Sequence, residues 1–332
     1  MPSTVSELTG SAQDVARLET IFRELEARVV QLVDSGGVEA IGLTGIREGL
    51  AIVDTSSGLC WVSGNGDSPA WGPPPSGDGL VFLSLQGYLA HRLTGALRAT
   101  HAERIALGIG SESEPLAPAA ATARDRASIP TPCAVGETIG WLRDAQRVEV
   151  FLAGTDEQAG YFGAQVGERC DLFLSTGSFW GLARRATPPP APTLCPALRQ
   201  VPAAPPCPAY VAFVGYRWGQ YLAKLAADAR PEVPAELPRW AAGTFVVAVR
   251  DGDIDLAGAV ELIRRDLSAA AAVLWRHARR PHVRVAGGGV SQFPELVVEC
   301  LPPTWHCEVF QQDATLLGVA RIAHTRKTTR FR

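Results

Sequence analysis

No apolar run in the chain approaches the roughly 18 residues that a membrane-spanning helix requires, so none is expected. The first residues, Met-Pro-Ser-Thr-Val-Ser-Glu, lack the charged-then-apolar pattern of an export signal. The seven cysteines are scattered and include no Cys-x-x-Cys pair, which suits reduced thiols in a cytoplasmic protein better than a disulfide framework. Cys300, His306 and Cys307 lie close in sequence but match no standard zinc spacing, and ordinary strand packing is expected for them. An excess of one charge is missing too. With 31 basic and 34 acidic residues the net charge is −3, which argues against nucleic acid or an anionic membrane as the main partner. What is present is a 332-residue chain, 46% hydrophobic and 20% charged. That composition fits a soluble globular enzyme, and the length suffices for two domains with full cores.

Apolar residues at Val15, Leu18, Ile21, Phe22, Leu25, Val29 and Val33 keep helical spacing and predict a helix over 15–33, stopped by Ser35-Gly36-Gly37. Strands are predicted at 38–43 and 50–53 around the Thr44-Gly45 turn. Residues 55–79, rich in Gly, Ser and Pro, predict an irregular surface loop. Helices are predicted at 80–93, 102–107 and 137–146, the last just ahead of a strand at 148–152. Nine prolines between Ala186 and Pro208 predict an irregular connection, either a lid over a ligand or a plain surface link. A strand and helix at 210–226, a strand at 244–249 and a long helix at 256–278 should follow. A strand at 283–286, a helix to Cys300 and a strand at 307–310 complete a βαβ-like unit. Trp180, Trp218, Trp275 and Trp305 are expected in the core, and the basic stretch 321–332 as a frayed, solvated end.

Chemistry concentrates in four places. The strand 148–152 breaks at Gly154, presents Asp156, and continues as a small-residue helix through Ala159, Gly160, Gly163 and Ala164. A carboxylate where a strand hands over to a helix sits at the carboxyl edge of a sheet, where α/β folds bind ligands; the alternative is a plain helix cap. A second strand, from Cys170, ends in Ser175-Thr176-Gly177-Ser178, a hydroxyl-and-glycine turn suited to phosphate. A third runs into Gly287-Gly288-Gly289, whose bare backbone permits close approach of a ligand. A small-residue helix at 313–323 closes the series.

In this order the segments resemble those of the FGGY family of carbohydrate kinases, over residues 15–323. Gly154-Thr-Asp-Glu-Gln158 resembles the family's Gly-Asp-Gln segment, Thr176-Gly177-Ser178-Phe179 its second phosphate loop, and Gly287–Gly289 its adenosine loop. Ile41–Asp54 is similar to the strand-turn-strand that carries a Gln-Arg-Glu sugar contact, with Arg47 and Glu48 matching and Ile46 in place of the Gln. Leu85–Gly95 is close to the family's Asp-Tyr-Leu helix, with Gln86 where the Asp usually stands. The family's opening Asp-x-Gly-Thr-Thr hairpin, the first phosphate loop, has no counterpart in these residues.

The resemblance implies an actin-like, ribonuclease H-like α/β fold in two domains. Residues 1–150 would form a truncated sugar-binding domain and 151–332 a nearly complete nucleotide-binding domain. It implies phosphoryl transfer from ATP, with Mg2+, to a hydroxyl of a sugar or polyol. Asp156 would be the general base, and Arg47, Glu48 and Glu157 would contact the acceptor. Ser175, Thr176, Gly177, Ser178, Gly287, Gly288 and Gly289 would hold the nucleotide. No protein metal ligand is assigned. Two alternatives remain: a relative that binds nucleotide or sugar without turnover, regulating or serving as half of a split kinase, or the same cleft turned to different chemistry. A shortened first domain would leave a sheet edge to be covered, so a homodimer or a partner chain is expected, in the cytoplasm.

Overall fold

The helical stripe beginning at Val15 is realised as α1 (Ala12–Asp34), which buries Leu18 and Phe22 against an antiparallel sheet. The computed structural model describes residues 12–45, 49–63, 75, 77–106, 125, 127–143, 145–177, 180–186, 198–202, 210–216, 255–275, 277 and 279–330. Two units emerge: one within residues 1–156 and 322–332, the other 157–321. The chain passes from one to the other at Asp156/Glu157 and again at Arg321/Ile322.

In the first unit, β1 (Ala40–Gly45) runs parallel to β8 (Ala145–Thr155), which pairs antiparallel with β7 (Thr138–Leu142). A second sheet has the order β3-β2-β4, from β2 (Leu50–Asp54), β3 (Gly58–Ser63) and β4 (Leu80–Ser84). Then follow α2 (Leu85–Thr94), β5 (Arg98–Thr100), α3 (His101–Ala106) and β6 (Thr131–Cys133), with β5 and β6 paired in parallel.

Three sequence expectations are corrected here. Residues 58–63 form β3 rather than loop, because Asp54 closes a tight turn by accepting from the Ser56 backbone N–H (2.7 Å) and the returning Leu59, Trp61 and Val62 are all buried. Residues 80–84 are a strand, not the start of a helix. Leu-Val-Phe-Leu is buried on both faces, and the helix begins only where the Ser84 hydroxyl accepts from the Gly87 N–H (3.0 Å). Residues 138–142 form a strand of a hairpin with β8 instead of a helix, favoured by the β-branched Thr138 and Ile139.

α4 (Asp156–Gly163) carries the chain into the second unit, which is built on one six-stranded sheet, β11-β12-β10-β9-β13-β14. β9 (Leu172–Thr176), β10 (Trp180–Ala186), β12 (Tyr210–Tyr216) and β11 (Leu198–Pro202) are antiparallel neighbours. β13 (His282–Ala286) and β14 (His306–Val309) extend β9 in parallel. The 19-residue α5 (Leu256–Leu274) is capped by Asp255 and lays Ile263 and Leu267 on Leu172, Leu174, Val283 and Val285. α6 (Gly288–Gln292) and α7 (Pro294–Cys300) replace the single helix expected up to Cys300, since Pro294 starts a new helix at Phe293.

β11 corrects the expectation that 186–208 is wholly irregular: an outer strand tolerates a proline that a central one does not. Trp180 and Trp305 are buried and Trp275 packs beside them, as expected; Trp218, the helix expected after β12 and the strand at 244–249 lie outside the described residues.

α8 (Ala314–Arg330) starts from an Asp313 cap and crosses α4 with backbones nearly touching. A Cβ on Gly163 would fall on the Ala314 carbonyl, and one on Gly318 on the Ala159 carbonyl. The basic tail is therefore helix, not fray. Arg321 donates to the Phe162 carbonyl (2.6 Å) within the second unit, and Arg326 pairs with Glu149 (2.9 Å) over the Phe151 ring within the first. Among the described residues no helix is long and apolar enough to cross a membrane.

Candidate functional site

The predicted residues fall into two groups, each assembled by the end of a parallel strand pair. In the first unit, β1 and β8 run the same way and finish together, Gly45 opposite Thr155. The Thr44 hydroxyl donates to the Gly154 carbonyl (3.0 Å), and Gly154 holds φ +80°, a left-handed conformation that suits glycine. This turns the chain out of the strand so that Asp156 opens α4 at the carboxyl end, half-buried, with Glu157 half-buried after it. Arg47 and Glu48 lie outside the described residues.

A buried polar floor lies at the same strand ends. The Glu103 carboxylate, fully buried, accepts from the Ser84 hydroxyl (2.7 Å) and the Thr100 N–H (2.7 Å), while the Glu103 N–H reaches the Thr100 hydroxyl (3.4 Å). Thr100-x-x-Glu103 is a capping box for α3. Burial pushes the Glu103 carboxyl above its ordinary range, opposed by the hydrogen bonds from Thr100 and Ser84. Gln86, buried beside it, sets its Oε1 against Gly45, 2.7 Å from where a Cβ would stand there. Sequence reasoning noted Gln86 only as a departure from a motif and passed over Glu103, although the Thr-x-x-Glu spacing was legible.

In the second unit, Ser175 pairs with Ala286 across β9 and β13, and the Gly287–Gly289 loop lands on Thr176. The buried Thr176 hydroxyl donates to the Ala286 carbonyl (3.0 Å) and accepts from the Val290 N–H (3.0 Å). A Cβ on Gly287, at φ +119°, would sit 2.9 Å from the Thr176 nitrogen, and one on Gly289 would sit 2.5 Å from the Thr176 oxygen. Only glycine permits this packing. Gly288 has nothing within 4 Å of its Cβ direction and faces open space. Ser175 and Gly177 are half-buried beside the loop, and Ser178 lies outside the described residues. Ser175, Thr176, Gly177 and the three glycines are thus brought together.

A polar cavity of about 530 Å³ in the first unit is lined by Glu19, Glu26, Asp54, His91, Arg92 and Arg143 among others; none of the predicted residues lines it. Its centre is an ion-pair network, with Arg92 bridging Glu19 and Glu26.

Comparison with solved structures places this geometry in a class. A gluconate kinase from Lactobacillus acidophilus superimposes with a TM-score of 0.61 at 12% identity, covering 99% of this chain and 83% of that one. A Plasmodium falciparum glycerol kinase with ADP gives 0.62 at 12% identity, over 93% of this chain and 80% of that one. A ligand-bound xylulose kinase from Lactobacillus acidophilus gives 0.60 at 12%, over 94% and 81%. The chain therefore has an actin-like, ribonuclease H-like fold. More narrowly, it is the fold shared by these xylulose, gluconate and glycerol kinases. No family model matches the sequence, and no curated protein does, so the likeness is one of fold.

Proposed function

We propose that the chain is a phosphotransferase that moves a phosphoryl group from ATP to a hydroxyl of a sugar or polyol. In this reading the unit within 1–156 and 322–332 takes the acceptor and 157–321 takes the nucleotide. The observation that carries it is Asp156 at the shared carboxyl end of β1 and β8, in a fold whose similar structures are glycerol, xylulose and gluconate kinases, one of them with ADP.

The nucleotide assignment is supported by the glycine loop. Gly287 and Gly289 are pinned to Thr176, while Gly288 has no neighbour within 4 Å of its Cβ direction among the described residues, which leaves room for a ligand to approach the backbone closely. Both hydrogen-bonding roles of the Thr176 hydroxyl are spent on the loop, which makes Thr176 a positioning residue, with Ser175, Gly177, Ser178 and Gly287–Gly289 as the contacts. ATP supplies the transferable γ-phosphoryl group. Among the described residues no group of three or more His, Cys, Asp or Glu side chains is placed to hold a metal ion.

The side chains then have distinct tasks. Asp156 accepts the proton of the attacking hydroxyl; a positioned base of this kind contributes roughly 10²- to 10⁴-fold. Arg47, Glu48 and Glu157 hold neighbouring hydroxyls by charge-assisted hydrogen bonds. Because such transfer depends on positioning and electrostatics, the arrangement of these groups matters more than their reactivity.

The test is calorimetric titration of Mg·ATP, followed by phosphorus NMR with glycerol, xylulose and gluconate, in wild type and Asp156→Asn. ADP formation that needs one of the three and falls at least about 100-fold in Asp156→Asn supports the phosphotransferase. Binding of nucleotide and sugar without turnover supports instead a relative that binds only, a reading favoured by Ile46 and Gln86 standing where the family motifs have Gln and Asp. No binding of either ligand would sink both.

A further inference from the structure

Gln86 is 4% exposed, and among the described residues neither its Nε2 nor its Oε1 has a partner of full hydrogen-bond geometry. Native proteins pair nearly all such buried groups, so an exception asks for a reason. The surrounding polar groups do not supply one. Ser84, Thr100 and Glu103 satisfy one another through the capping box and the α2 cap. The Gln86 amide lies near the Glu103 carboxylate and adds the smallest of the hydrogen-bond interactions that favour its charged form, but no contact between the two has full hydrogen-bond geometry. Its Oε1 lies over Gly45, where any Cβ would collide at 2.7 Å. Gly45 pairs with Thr155, the residue immediately before Asp156.

We propose that Gln86 is a specificity-determining residue whose amide reads a hydroxyl of a neutral acceptor at the common end of β1 and β8. The inference rests on the phosphotransferase reading. An amide offers one acceptor atom and two donor hydrogens, and a hydroxyl needs one of each, so one or two adjacent hydroxyls satisfy it. The uncharged amide gives no ion pair to an anion or a cation, and the buried Glu103 alongside supplies no positive charge for an anion. The group recognised is therefore an uncharged hydroxyl-bearing carbon, as in glycerol or a ketose, rather than the carboxylate end of a sugar acid. A site that pairs a buried polar group with one substrate hydroxyl strongly rejects the analogue lacking it.

The experiment compares wild type with Gln86→Leu and Gln86→Met, both apolar and close in volume. Two readouts are taken: the melting temperature without ligand, and calorimetric Kd for glycerol, xylulose, gluconate and single-deoxy analogues of whichever binds. The expected result has three parts. The variants melt no lower than wild type, because an unsatisfied amide has been removed. The neutral ligand binds at least about 10-fold more weakly. One deoxy analogue, weakened in wild type by loss of the hydroxyl, binds wild type and variants with the same reduced affinity. Either variant suffices should the other fail to fold. Unchanged affinity in a variant, with wild type binding normally, overturns the role of Gln86 and leaves the phosphotransferase intact. A melting temperature lowered by several degrees in both variants also overturns it, since the amide would then be structural. Wild type that binds none of these compounds, with or without Mg·ATP, overturns both.

Discussion

Thr176 and Gln86 are both polar, both buried, and both sit where a strand end meets a glycine, yet their hydrogen bonding is opposite. Thr176 donates to Ala286 and accepts from Val290, so each capacity of its hydroxyl is used to fasten the Gly287–Gly289 loop. Neither polar atom of the Gln86 amide meets full hydrogen-bond geometry with any described residue. A satisfied buried group is part of the frame, and an unsatisfied one of equal burial asks for a reason. The unit holding Thr176 shows the same economy elsewhere, with backbone packed on backbone at Gly163 and Gly318. The comparison sets a residue that fastens a loop against one that the proposal assigns to an acceptor, and substitutions separate the two.

The largest effect is expected at the α4–α8 crossing. Gly318→Val places carbon onto the Ala159 carbonyl, a collision that no side-chain rotamer relieves. Its cost should be at least about 3 kcal/mol, measured by urea denaturation. A loss under about 1 kcal/mol would mean that the helices slide apart easily, and the frame would not be rigid. Thr176→Val comes next. It keeps shape but leaves the Val290 N–H and the Ala286 carbonyl without their partner, at about 1–3 kcal/mol, and Thr176→Ser should recover most of that. Equal stability of Thr176→Val and wild type would erase the contrast with Gln86.

How much of this was legible in the sequence follows from period and length. α1, α5 and the strand–Asp156–helix passage were readable because long apolar stripes and a glycine break specify them locally. β3, β4 and β7 were not. Short apolar runs such as Leu80-Val-Phe-Leu and Ile139-Gly-Trp-Leu fit a buried strand or a helical turn equally well, and only their neighbours decide. The glycine loop was legible as a segment open to close backbone approach, but its fastening to Thr176 was not, since it joins residues more than a hundred positions apart. Gln86 was visible as a residue out of place. That its amide is buried and unpaired is a fact of the tertiary structure alone.

The smallest effect concerns Glu103 and tests whether the floor beside Gln86 carries a charge. Burial raises the Glu103 carboxyl from its ordinary 4.5, and the hydrogen bonds from Thr100 and Ser84 oppose that rise. A carboxyl whose folded value exceeds the unfolded one binds more protons when folded. Its contribution is fully present below about 4.5 and is lost as pH climbs through the raised folded value. Glu103→Gln keeps an acceptor for the Thr100 N–H and removes the titration. The difference in melting temperature, variant minus wild type, should therefore grow as pH rises from 4.5 and level off once the folded group has ionised. A difference that is flat with pH would show the carboxylate already ionised throughout. The negative charge disfavouring anions beside Gln86 would then be permanent, and selection for a neutral acceptor sharper. A difference that grows and has not levelled by neutral pH would show Glu103 still protonated there, and the floor would discriminate by its hydrogen-bond geometry alone.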